Sequence, residues 1–365
     1  MLYRVIGVMS GSSLDGLDLA FIEFEETGGK WNYDIKAAQC IPYNAAWQEQ
    51  LKNAHNLSAF DYLKLHSAYG KFIGEKINEF IEQYSLHHQV QLVASHGHTV
   101  FHAPQMGMTS QLGEGAAIAS VTEINVVSDL RAMDVAFGGQ GAPLVPIGEK
   151  LLFADYDFCL NIGGIANITY KSVNGYIAFD VCAANRVLNL LVEKTGKTYD
   201  DEGKKAAAGK LYTPLLTRLN ALSYYDKPFP KSLANSFGVE EVYPLIESFD
   251  ISLEDKLRTY TEHIAMQIGY AAQKVISNSN TESKKLLITG GGGFNTFLVQ
   301  RIQHALMPLS IEVIVGDEML VNYKEALIMG LIGALRWREE YNVINTVTGA
   351  TRNSIGGAVW IGQEA

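Results

Sequence analysis

The chain has 365 residues, of which 47% are hydrophobic and 19% are charged, and its formal net charge is -10. This length favours two domains, and the composition is that of a globular chain with enough apolar material for sizeable cores. The acidic balance argues against nucleic acid and anionic membranes as partners, although a phosphate pocket can still form from local backbone dipoles and a cation.

Apolar runs and helical periodicity predict alternating strands and helices along the chain. The predicted strands cover residues 4–9, 17–25, 91–95, 124–128, 158–162, 166–170, 286–289 and 311–315. The predicted helices cover residues 62–84, 186–194, 253–276, 296–306 and 323–340. This mixture predicts an α/β architecture with helices packed against sheets.

The first two strands are joined by a turn rich in glycine and serine, within residues 5–24. Such a turn points several backbone N–H groups at one place, and glycine lets the backbone approach a ligand closely. Ser12 and Ser13 add hydroxyl donors, while Asp15 and Asp18 add carboxylates that can hold a metal. These parts suit a site for phosphate and Mg²⁺, but an ordinary polar hairpin explains them equally well.

Three histidines, His96, His98 and His102, come at and after the end of a predicted strand. A continuous strand would place them on one face, but we expect Gly97 to break the strand. Because no carboxylate or cysteine cluster lies nearby in sequence, hydrogen bonding to a sugar is favoured over a metal site, and surface histidines remain an alternative.

Charged residues follow the next predicted strand directly, and a glycine-rich loop follows them at residues 138–142. Asp129, Arg131 and Asp134 stand where a strand ends, which is a typical place for a ligand cleft. A structural salt bridge between Arg131 and an aspartate explains the same residues.

A second strand, glycine turn and strand occupy residues 158–169 and repeat the pattern of the opening hairpin. Two such hairpins could face each other across a cleft between two lobes and grip one polyphosphate. Asp180 follows an apolar run, and we place it at the junction of a strand and a helix N-terminus. It is a candidate general base, with helix capping as the alternative.

Four glycines, Gly290, Gly291, Gly292 and Gly293, follow the predicted strand at 286–289, and Asn295 is a plausible N-cap of the next helix. They would let a flat adenine or ribose lie against the backbone, although a tight turn is the simpler reading. Neither a GxGxxG fingerprint nor a P-loop is present. Lys231 and Glu325 are weaker candidates, since solvated lysines and first-turn glutamates are common.

Taken together, these segments resemble the anhydro-N-acetylmuramic acid kinase family along nearly the whole chain. The segments that carry the resemblance are GVMSGSSLDGLD, ASHGHTVFHAP, DLRAMDVAFGGQGAPLVP, NIGGIANIT, TGGGGFN and TGATRNSIGGAVW. The family has GxMSGTSLDGxD, SHGQTxxHxP and DFRxxDxAxGGQGAPLVP at the first three, so this chain has Ser12 for the usual Thr and His98 for Gln.

The resemblance implies a two-lobed fold of the actin-like ATPase and sugar kinase superfamily, each lobe built on a ribonuclease-H-like sheet with flanking helices. It implies ATP and Mg²⁺ as cofactors and 1,6-anhydro-N-acetylmuramic acid as the substrate, which is opened by water and phosphorylated on O6 during peptidoglycan recycling. Asp180, which matches the family's FDxGPGN, would be the general base that activates the water.

The resemblance also assigns binding roles to the candidate residues. It places ATP against Gly11, Ser12, Ser13, Leu14, Asp15, Gly16, Leu17, Asp18, Gly163, Gly164, Asn167, Gly290, Gly291, Gly292 and Gly293. Asp15 would hold Mg²⁺, directly or through water. The sugar would contact His96, His98, Asp129, Arg131, Asn185, Lys231 and Glu325.

Two segments depart from the family pattern. Cys182-Ala-Ala-Asn185 stands where the family has GPGN, and the loop at residues 231–237 lacks the Arg and Glu of the family's KSTGRExF. Because the loop at residues 231–237 lies on the sugar side in the family, a kinase acting on another anhydro or amino sugar, such as levoglucosan, is an alternative. A nucleotide-binding sensor without catalysis is another.

Three cysteines without close spacing and no leader-like N-terminus predict a cytoplasmic protein. We expect lobe I to comprise residues 1–135 and 345–365, and lobe II to comprise residues 136–344. Family members suggest a homodimer.

Overall fold

The computed structural model describes residues 1–11, 14–172, 175–229, 231–276 and 283–363. Its strands are β1 Leu2–Ser10, β2 Gly16–Thr27, β3 Lys30–Pro42, β4 Leu92–Ala103, β5 Met108–Leu112, β6 Val126–Ser128, β7 Phe158–Ile162, β8 Ile165–Ser172, β9 Gly175–Ala183, β10 Lys284–Thr289, β11 Ile311–Val315 and β12 Ala358–Trp360.

Its α-helices are α1 Ala45–Asn53, α2 Ala59–Gln83, α3 Gly115–Thr122, α4 Ala132–Ala136, α5 Pro146–Leu152, α6 Asn185–Glu193, α7 Lys204–Ala208, α8 Thr213–Asn220, α9 Asn235–Phe237, α10 Tyr243–Glu247, α11 Leu253–Val275, α12 Thr296–Leu306, α13 Glu318–Trp337 and α14 Asn345–Thr348. Within the described ranges, no helix combines the length and the hydropathy that crossing a bilayer requires.

The chain divides into two compact units. Unit 1 comprises Met1–Ala154 and Tyr323–Ala365, and unit 2 comprises Asp155–Asn322. These boundaries differ from the ones drawn from the sequence, because α5 packs on β3 and the later part of α13 packs on β1. At Gly7 in β1, an added Cβ would collide with the Ala326 carbonyl oxygen of α13.

The sheet of unit 1 has the strand order β12-β6-β4-β1-β2-β3, with β5 paired to β4. Strands β1, β2 and β3 form an antiparallel meander, whereas β4 and β6 run parallel to β1. In β1 and β2 the buried residues 5–8 and 19–22 are apolar, and β4 begins with the apolar residues 92–94, as expected for strands covered on both faces. Helix α2 buries an apolar stripe that includes Tyr69, Ile73 and Ile77 against them.

The sheet of unit 2 has the order β11-β10-β7-β8-β9. Strands β7, β8 and β9 form an antiparallel meander, and β10 and β11 run parallel to β7. Both sheets therefore start with three antiparallel strands and add the fourth and fifth in parallel beside the first. This is ribonuclease-H-like topology, so the predicted fold class, with one such sheet and flanking helices in each unit, is confirmed.

Two local predictions are wrong. The strand β4 runs through Gly97 rather than ending there, because Gly97 adopts a positive φ of 70° and forms a bulge in the pairing with β1. Asp180 does not lie at a strand–helix junction: β9 continues to Ala183, and α6 begins at Asn185. The strand continues because its last residues pair with β8.

Candidate active site

The first glycine-rich turn joins β1 to β2 in unit 1, in register from Leu2 opposite Glu25 to Ser10 opposite Leu17. Ser12 and Ser13 lie outside the described residues, while Gly11 and Leu14 flank them and are half-buried. The exposed Asp15 keeps its side chain at the surface, and its carbonyl oxygen accepts a hydrogen bond from the Tyr43 N–H at 3.4 Å. The turn thus presents an acidic group at its rim.

Gly16 and Leu17 are buried in the sheet that follows this turn. A Cβ added to Gly16 would stand only 2.6 Å from the Ile41 carbonyl oxygen and 2.7 Å from Cys40 Sγ. The packing of β3 therefore requires the absence of a side chain at Gly16. Leu17 belongs to the apolar core of unit 1, where its side chain is fully buried.

The carboxyl group of Asp18 faces Cys40, which is its register partner on β3. Desolvation raises the pKa of Asp18 from 3.8 to about 6, and repulsion from Glu325 and Asp15 adds to this, against a hydrogen bond with the Cys40 thiol. Burial and the negative charge of Asp18 raise the pKa of Cys40 to about 12, so the thiol stays protonated and donates. An ionised Asp18 therefore has little compensation from the residues of unit 1.

Replacing Asp18 with Asn should stabilise the free protein. The folded state holds the Asp18 proton more tightly than the unfolded state, so this group's stabilisation is complete below pH 4 and is lost as pH rises through about 6. Since a tenfold change in proton affinity is about 1.4 kcal/mol, the advantage of Asp18→Asn at pH 7.5 should reach at most about 3 kcal/mol. Urea unfolding at pH 4.5 and 7.5 measures it.

The matched control for that experiment is Glu25→Gln, an exposed carboxylate on the same strand. We expect the control to track the wild type at both pH values. An equal difference between Asp18→Asn and wild type at pH 4.5 and pH 7.5 would contradict the burial of an uncompensated charge at this position.

A buried hydrogen-bond chain lies beside this hairpin. The Tyr43 hydroxyl lies 2.5 Å from that of Tyr69 and donates to Ser10 Oγ at 2.8 Å, and Ser10 Oγ lies 3.1 Å from His98 Nδ1. We assign the tautomer in which Ser10 accepts from Tyr43 and donates its own proton to Nδ1, so that the His98 proton is on Nε2. Burial lowers the pKa of His98, so the ring is neutral. His98 thus offers a neutral N–H donor.

His96 and Arg131 form a second buried pair. His96 Nδ1 donates to the Gly97 carbonyl oxygen at 2.9 Å, and Nε2 accepts a hydrogen bond from Arg131 Nε at 2.8 Å. Burial, with the nearby Arg131 charge, lowers the pKa of His96 to about 3. Arg131 Nη1 donates to the Gly141 carbonyl oxygen at 2.7 Å. A neutral histidine therefore holds a charged arginine in a fixed orientation.

Two acidic residues near Arg131 differ in what they contact. Asp134 is fully buried and accepts from the Gly141 N–H at 2.8 Å and from the Thr348 hydroxyl at 2.7 Å, so it shapes the glycine-rich loop. The exposed Asp129 has a positive φ of 56° and accepts from the Ser128 hydroxyl at 2.8 Å. Asp129 therefore remains available to a ligand, whereas Asp134 does not.

Glu325 lies on α13 and remains accessible to solvent. Desolvation by the surrounding protein raises the pKa of its carboxyl group, and the positive charges of Lys324 and Arg131 oppose this. Glu325 and Arg131 thus form an electrostatically coupled pair of opposite charge in unit 1.

The second glycine turn, Gly163 and Gly164, joins β7 to β8 in unit 2. Its carbonyl oxygens accept from the start of α6: Gly164 from the Ala184 N–H at 2.8 Å and Gly163 from the Asn185 N–H at 3.1 Å. A Cβ on either glycine would meet nothing closer than 3.6 Å. Packing within the chain does not require glycine here, so these positions leave room for a ligand.

Side chains around this turn connect it to the neighbouring segments. Asn185 Nδ2 donates to the Ile162 carbonyl oxygen at 3.2 Å, so Asn185 ties α6 to the end of β7. Asn167 is half-buried on β8 and pairs with Asn161 on one side and with Asp180 on the other. The turn, Asn167 and Asp180 therefore occupy neighbouring positions of one sheet.

The four successive glycines after β10 serve different purposes. Gly290 has a positive φ of 80°, and a Cβ there would stand 2.7 Å from Asn161 Oδ1, while one on Gly292 would collide with the Ile162 side chain. Gly291 is exposed, and a Cβ on it would meet only Asn185 Nδ2, at 3.9 Å. A Cβ on the buried Gly293 would make ordinary contacts from 3.4 Å. Packing therefore explains the absence of a side chain at Gly290 and Gly292, whereas Gly291 leaves the backbone accessible to a ligand.

The predicted N-cap after this loop is confirmed. The Asn295 side chain accepts a hydrogen bond from the Leu298 N–H at 3.0 Å at the start of α12. This cap fixes the direction in which the chain leaves the glycine loop.

Asp180 lies half-buried within β9. Its Oδ2 accepts a hydrogen bond from the Leu233 N–H at 2.8 Å, and among the described residues Oδ1 has no hydrogen-bond partner. Desolvation raises the pKa of Asp180 against the effect of the Leu233 N–H. The carboxylate is thus held in place through Oδ2, and Oδ1 is left able to accept a proton or a hydrogen bond from a ligand. The raised pKa increases its affinity for that proton.

Lys231 packs under the loop that Asp180 holds. Its Nζ donates to the Tyr224 carbonyl oxygen at 3.1 Å and lies 4.3 Å from the centroid of the Tyr224 ring. Burial lowers the pKa of Lys231. The ammonium group is therefore already engaged within unit 2, where it helps to shape the loop.

The residues that replace the family's GPGN are buried. Cys182, Ala183 and Ala184 all belong to the apolar core of unit 2, and none of them has a positive φ. The Cys182 side chain is fully buried, and burial raises the pKa of its thiol. This loop therefore reaches α6 without the conformational freedom of glycine.

Sequence reasoning missed Tyr43 and Arg186. Tyr43 follows β3 and reaches Ser10 only through the tertiary fold, so no local signal marks it. Arg186 directly follows Asn185, and a cation at the start of a helix beside a proposed phosphate turn was a signal that could have been used.

Comparison with known proteins finds the same family along nearly the whole chain. A family described as "Anhydro-N-acetylmuramic acid kinase" matches residues 3–362. Proteins of that name from Vibrio parahaemolyticus and Synechococcus elongatus are each 32% identical to this chain. The first match covers 95% of both chains, and the second covers 98% of this chain and 99% of the relative.

One solved structure is similar over most of its length. It is the activator of the 2-hydroxyisocaproyl-CoA dehydratase from Clostridium difficile with bound ADPNP. The two chains are 13% identical, with a TM-score of 0.45, and the match covers 92% of this chain and 96% of that chain.

Proposed function

The chain belongs to the anhydro-N-acetylmuramic acid kinase family, and we infer that it uses ATP to convert 1,6-anhydro-N-acetylmuramic acid into N-acetylmuramic acid 6-phosphate during peptidoglycan recycling. The family match over residues 3–362 carries the activity. The observation that carries the chemistry is Asp180, a half-buried carboxylate with one free oxygen, next to an open glycine turn.

We propose that Asp180 is the general base. Its free Oδ1 would take a proton from water while the water oxygen bonds to the anomeric carbon and the bond from that carbon to O6 breaks. O6 would then take the γ-phosphoryl group, ADP would leave, and the proton would pass from Asp180 to solvent. Leu233 holds the other carboxylate oxygen and so orients the base, and desolvation increases its basicity.

The phosphates of ATP are assigned to glycines at which the packing of the chain would tolerate a side chain. In unit 2 these are Gly163, Gly164 and Gly291, with Asn167 beside the turn. Gly290, Gly292 and Gly293 would shape the adenosine side of the same loop. In unit 1 the turn from Gly11 to Asp18 would contribute backbone N–H groups, because such turns cradle phosphate oxygens.

The residues of unit 1 fit Mg²⁺ bound mainly through phosphate and water. Within the described ranges, no group of three or more His, Cys, Asp or Glu side chains could hold a metal by itself. Asp15 is exposed, and its charge helps to raise the pKa of Asp18, so a cation near both would relieve their repulsion. Asp15 would hold the ion, directly or through water. When bound, Mg²⁺ would neutralise charge on the phosphates.

The sugar is assigned to polar groups that the fold holds in fixed orientations. In unit 1 these are the His98 Nε2 proton, Arg131 as positioned by His96, the exposed Asp129 and Glu325. In unit 2, Asn185 and the loop held by Lys231 would contribute, with Lys231 acting through the loop because its ammonium group is engaged. A cytoplasmic location is also proposed, on the wide spacing of the three cysteines, and a homodimer is proposed on the family resemblance.

A comparison of sugars tests this assignment. With Mg-ATP present, kcat/KM for 1,6-anhydro-N-acetylmuramic acid should exceed that for levoglucosan and for N-acetylglucosamine by at least about 10³. A loss of buried polar recognition costs this much when substrate groups are missing. Faster turnover of levoglucosan would instead assign the chain to a different anhydro sugar.

A further inference from the structure

Arg186 lies in the first turn of α6, directly over the glycine turn between β7 and β8. A Cβ built on Gly164 would stand 3.6 Å from Arg186 Cβ and 3.6 Å from its Nε. The Ala184 and Asn185 N–H groups donate hydrogen bonds to that turn and fix the start of the helix. They therefore also fix the backbone position from which the Arg186 side chain extends. The Arg186 side chain is therefore held against the glycine turn.

The guanidinium group of Arg186 has no partner in the part of the chain that the structure describes. It takes part in no hydrogen bond or ion pair there, and its Nε is buried and unsatisfied. Arg131 and Arg301, by contrast, are paired with His96 and Glu262. A buried N–H donor without an acceptor is costly, so the unsatisfied Nε of Arg186 points to an acceptor that a ligand supplies.

An oxyanion is the acceptor that this geometry suits. The guanidinium group presents a planar fork of donors that matches phosphate and carboxylate oxygens. A Cβ at either glycine of the adjacent turn would make only ordinary contacts, at 3.6 Å or more, and Gly163 and Gly164 are the positions assigned to the phosphates of ATP. We propose that Arg186 donates hydrogen bonds to the terminal phosphates of bound ATP, which rests on the proposed function.

The lactyl carboxylate of the sugar is the other oxyanion in this reaction. Arg186 packs against Gly164, which belongs to the turn to which the phosphates of ATP are assigned. The phosphate is therefore the favoured acceptor, and the carboxylate is an outcome that the test must separate.

The test compares Arg186→Met, Arg186→Lys and the control Arg218→Met, an exposed arginine on α8. Calorimetry measures binding of Mg²⁺ with a non-hydrolysable ATP analogue and with ADP, and steady-state kinetics measures KM for ATP and for the sugar. Loss of a charge-assisted hydrogen bond should weaken binding of the ATP analogue about 10- to 100-fold in Arg186→Met. Arg186→Lys should recover part of this, and Arg218→Met should match the wild type.

Several outcomes would overturn the proposal. Unchanged affinity for the analogue in a folded Arg186→Met variant would overturn the role of Arg186. The proposed function would still stand if the wild type turns over the sugar. A rise confined to the KM of the sugar would overturn the proposal in favour of the carboxylate. If Arg186→Met does not fold, wild-type affinity in Arg186→Lys, with unchanged preference for the analogue over ADP, would overturn it. A wild type that binds no ATP would overturn this proposal and the proposed function together.

Discussion

Replacing Asp180 with Asn should reduce kcat by about 10²–10⁴ while nucleotide affinity stays within about twofold of the wild type. General-base assistance is worth this much, and the amide cannot accept the proton of the attacking water. The fold should survive, because the Asn oxygen can still accept the Leu233 N–H and the desolvated charge is removed. Single-turnover ADP formation and thermal unfolding measure the two effects.

The pH dependence gives an independent check on the same residue. Desolvation raises the pKa of Asp180, and the base acts only when ionised, so turnover should rise with pH through that raised pKa and then level off. The acidic limb should be absent from the residual activity of Asp180→Asn. Asp250→Asn, an exposed carboxylate of the same unit, is the control and should keep the wild-type rate. Full turnover by Asp180→Asn, with chemistry limiting, would remove Asp180 from the mechanism.

Replacing Gly163 with Val should weaken ATP binding at least tenfold with little effect on stability. An added Cβ at this position meets nothing within the chain closer than 3.7 Å, so the fold has room for it. The same side chain would occupy the space through which a phosphate approaches the backbone. Calorimetry with Mg²⁺ and an ATP analogue measures the affinity, and urea unfolding measures the stability.

Gly292→Ala is the matched variant with the opposite expectation. A Cβ at Gly292 collides with the Ile162 side chain, so this change should lower the free energy of unfolding by about 1–3 kcal/mol. Its effect on nucleotide affinity should be smaller than that of Gly163→Val. If Gly163→Val instead destabilises the protein and keeps wild-type affinity, the glycine turn has a packing role and no part in binding phosphate.

The sequence was informative where local pattern and burial agree. Strands β7 and β11 have the predicted bounds, because each is a short, mostly apolar run rich in strand-forming residues, although β7 is buried and β11 is a partly exposed edge strand. Asn295 was recognisable as a cap because capping depends on neighbours in the chain. Both sheet topologies followed from the family resemblance, since strand order is not written in any one segment.

Tertiary contacts explain what the sequence could not supply. Gly97 forms a bulge within β4, which pairs with β1 on one side and with β5 on the other. From the local sequence alone, a glycine at this position predicted the end of the strand. The four glycines at 290–293 look alike in sequence, yet only their neighbours distinguish packing at Gly290 from access at Gly291. Lys231 suggested a free cation, and only the position of Tyr224 shows that its ammonium group is engaged.

The mass of the sugar product is the measurement that tests this account most directly. The purified protein would be incubated with Mg-ATP and 1,6-anhydro-N-acetylmuramic acid, and ADP and sugar phosphate would be quantified by mass spectrometry. We expect equal amounts of ADP and of a sugar phosphate that has gained one water, as N-acetylmuramic acid 6-phosphate has. A sugar phosphate with its anhydro bridge intact, or ADP release that does not depend on the sugar, would contradict water-driven opening of the bridge with phosphorylation of O6.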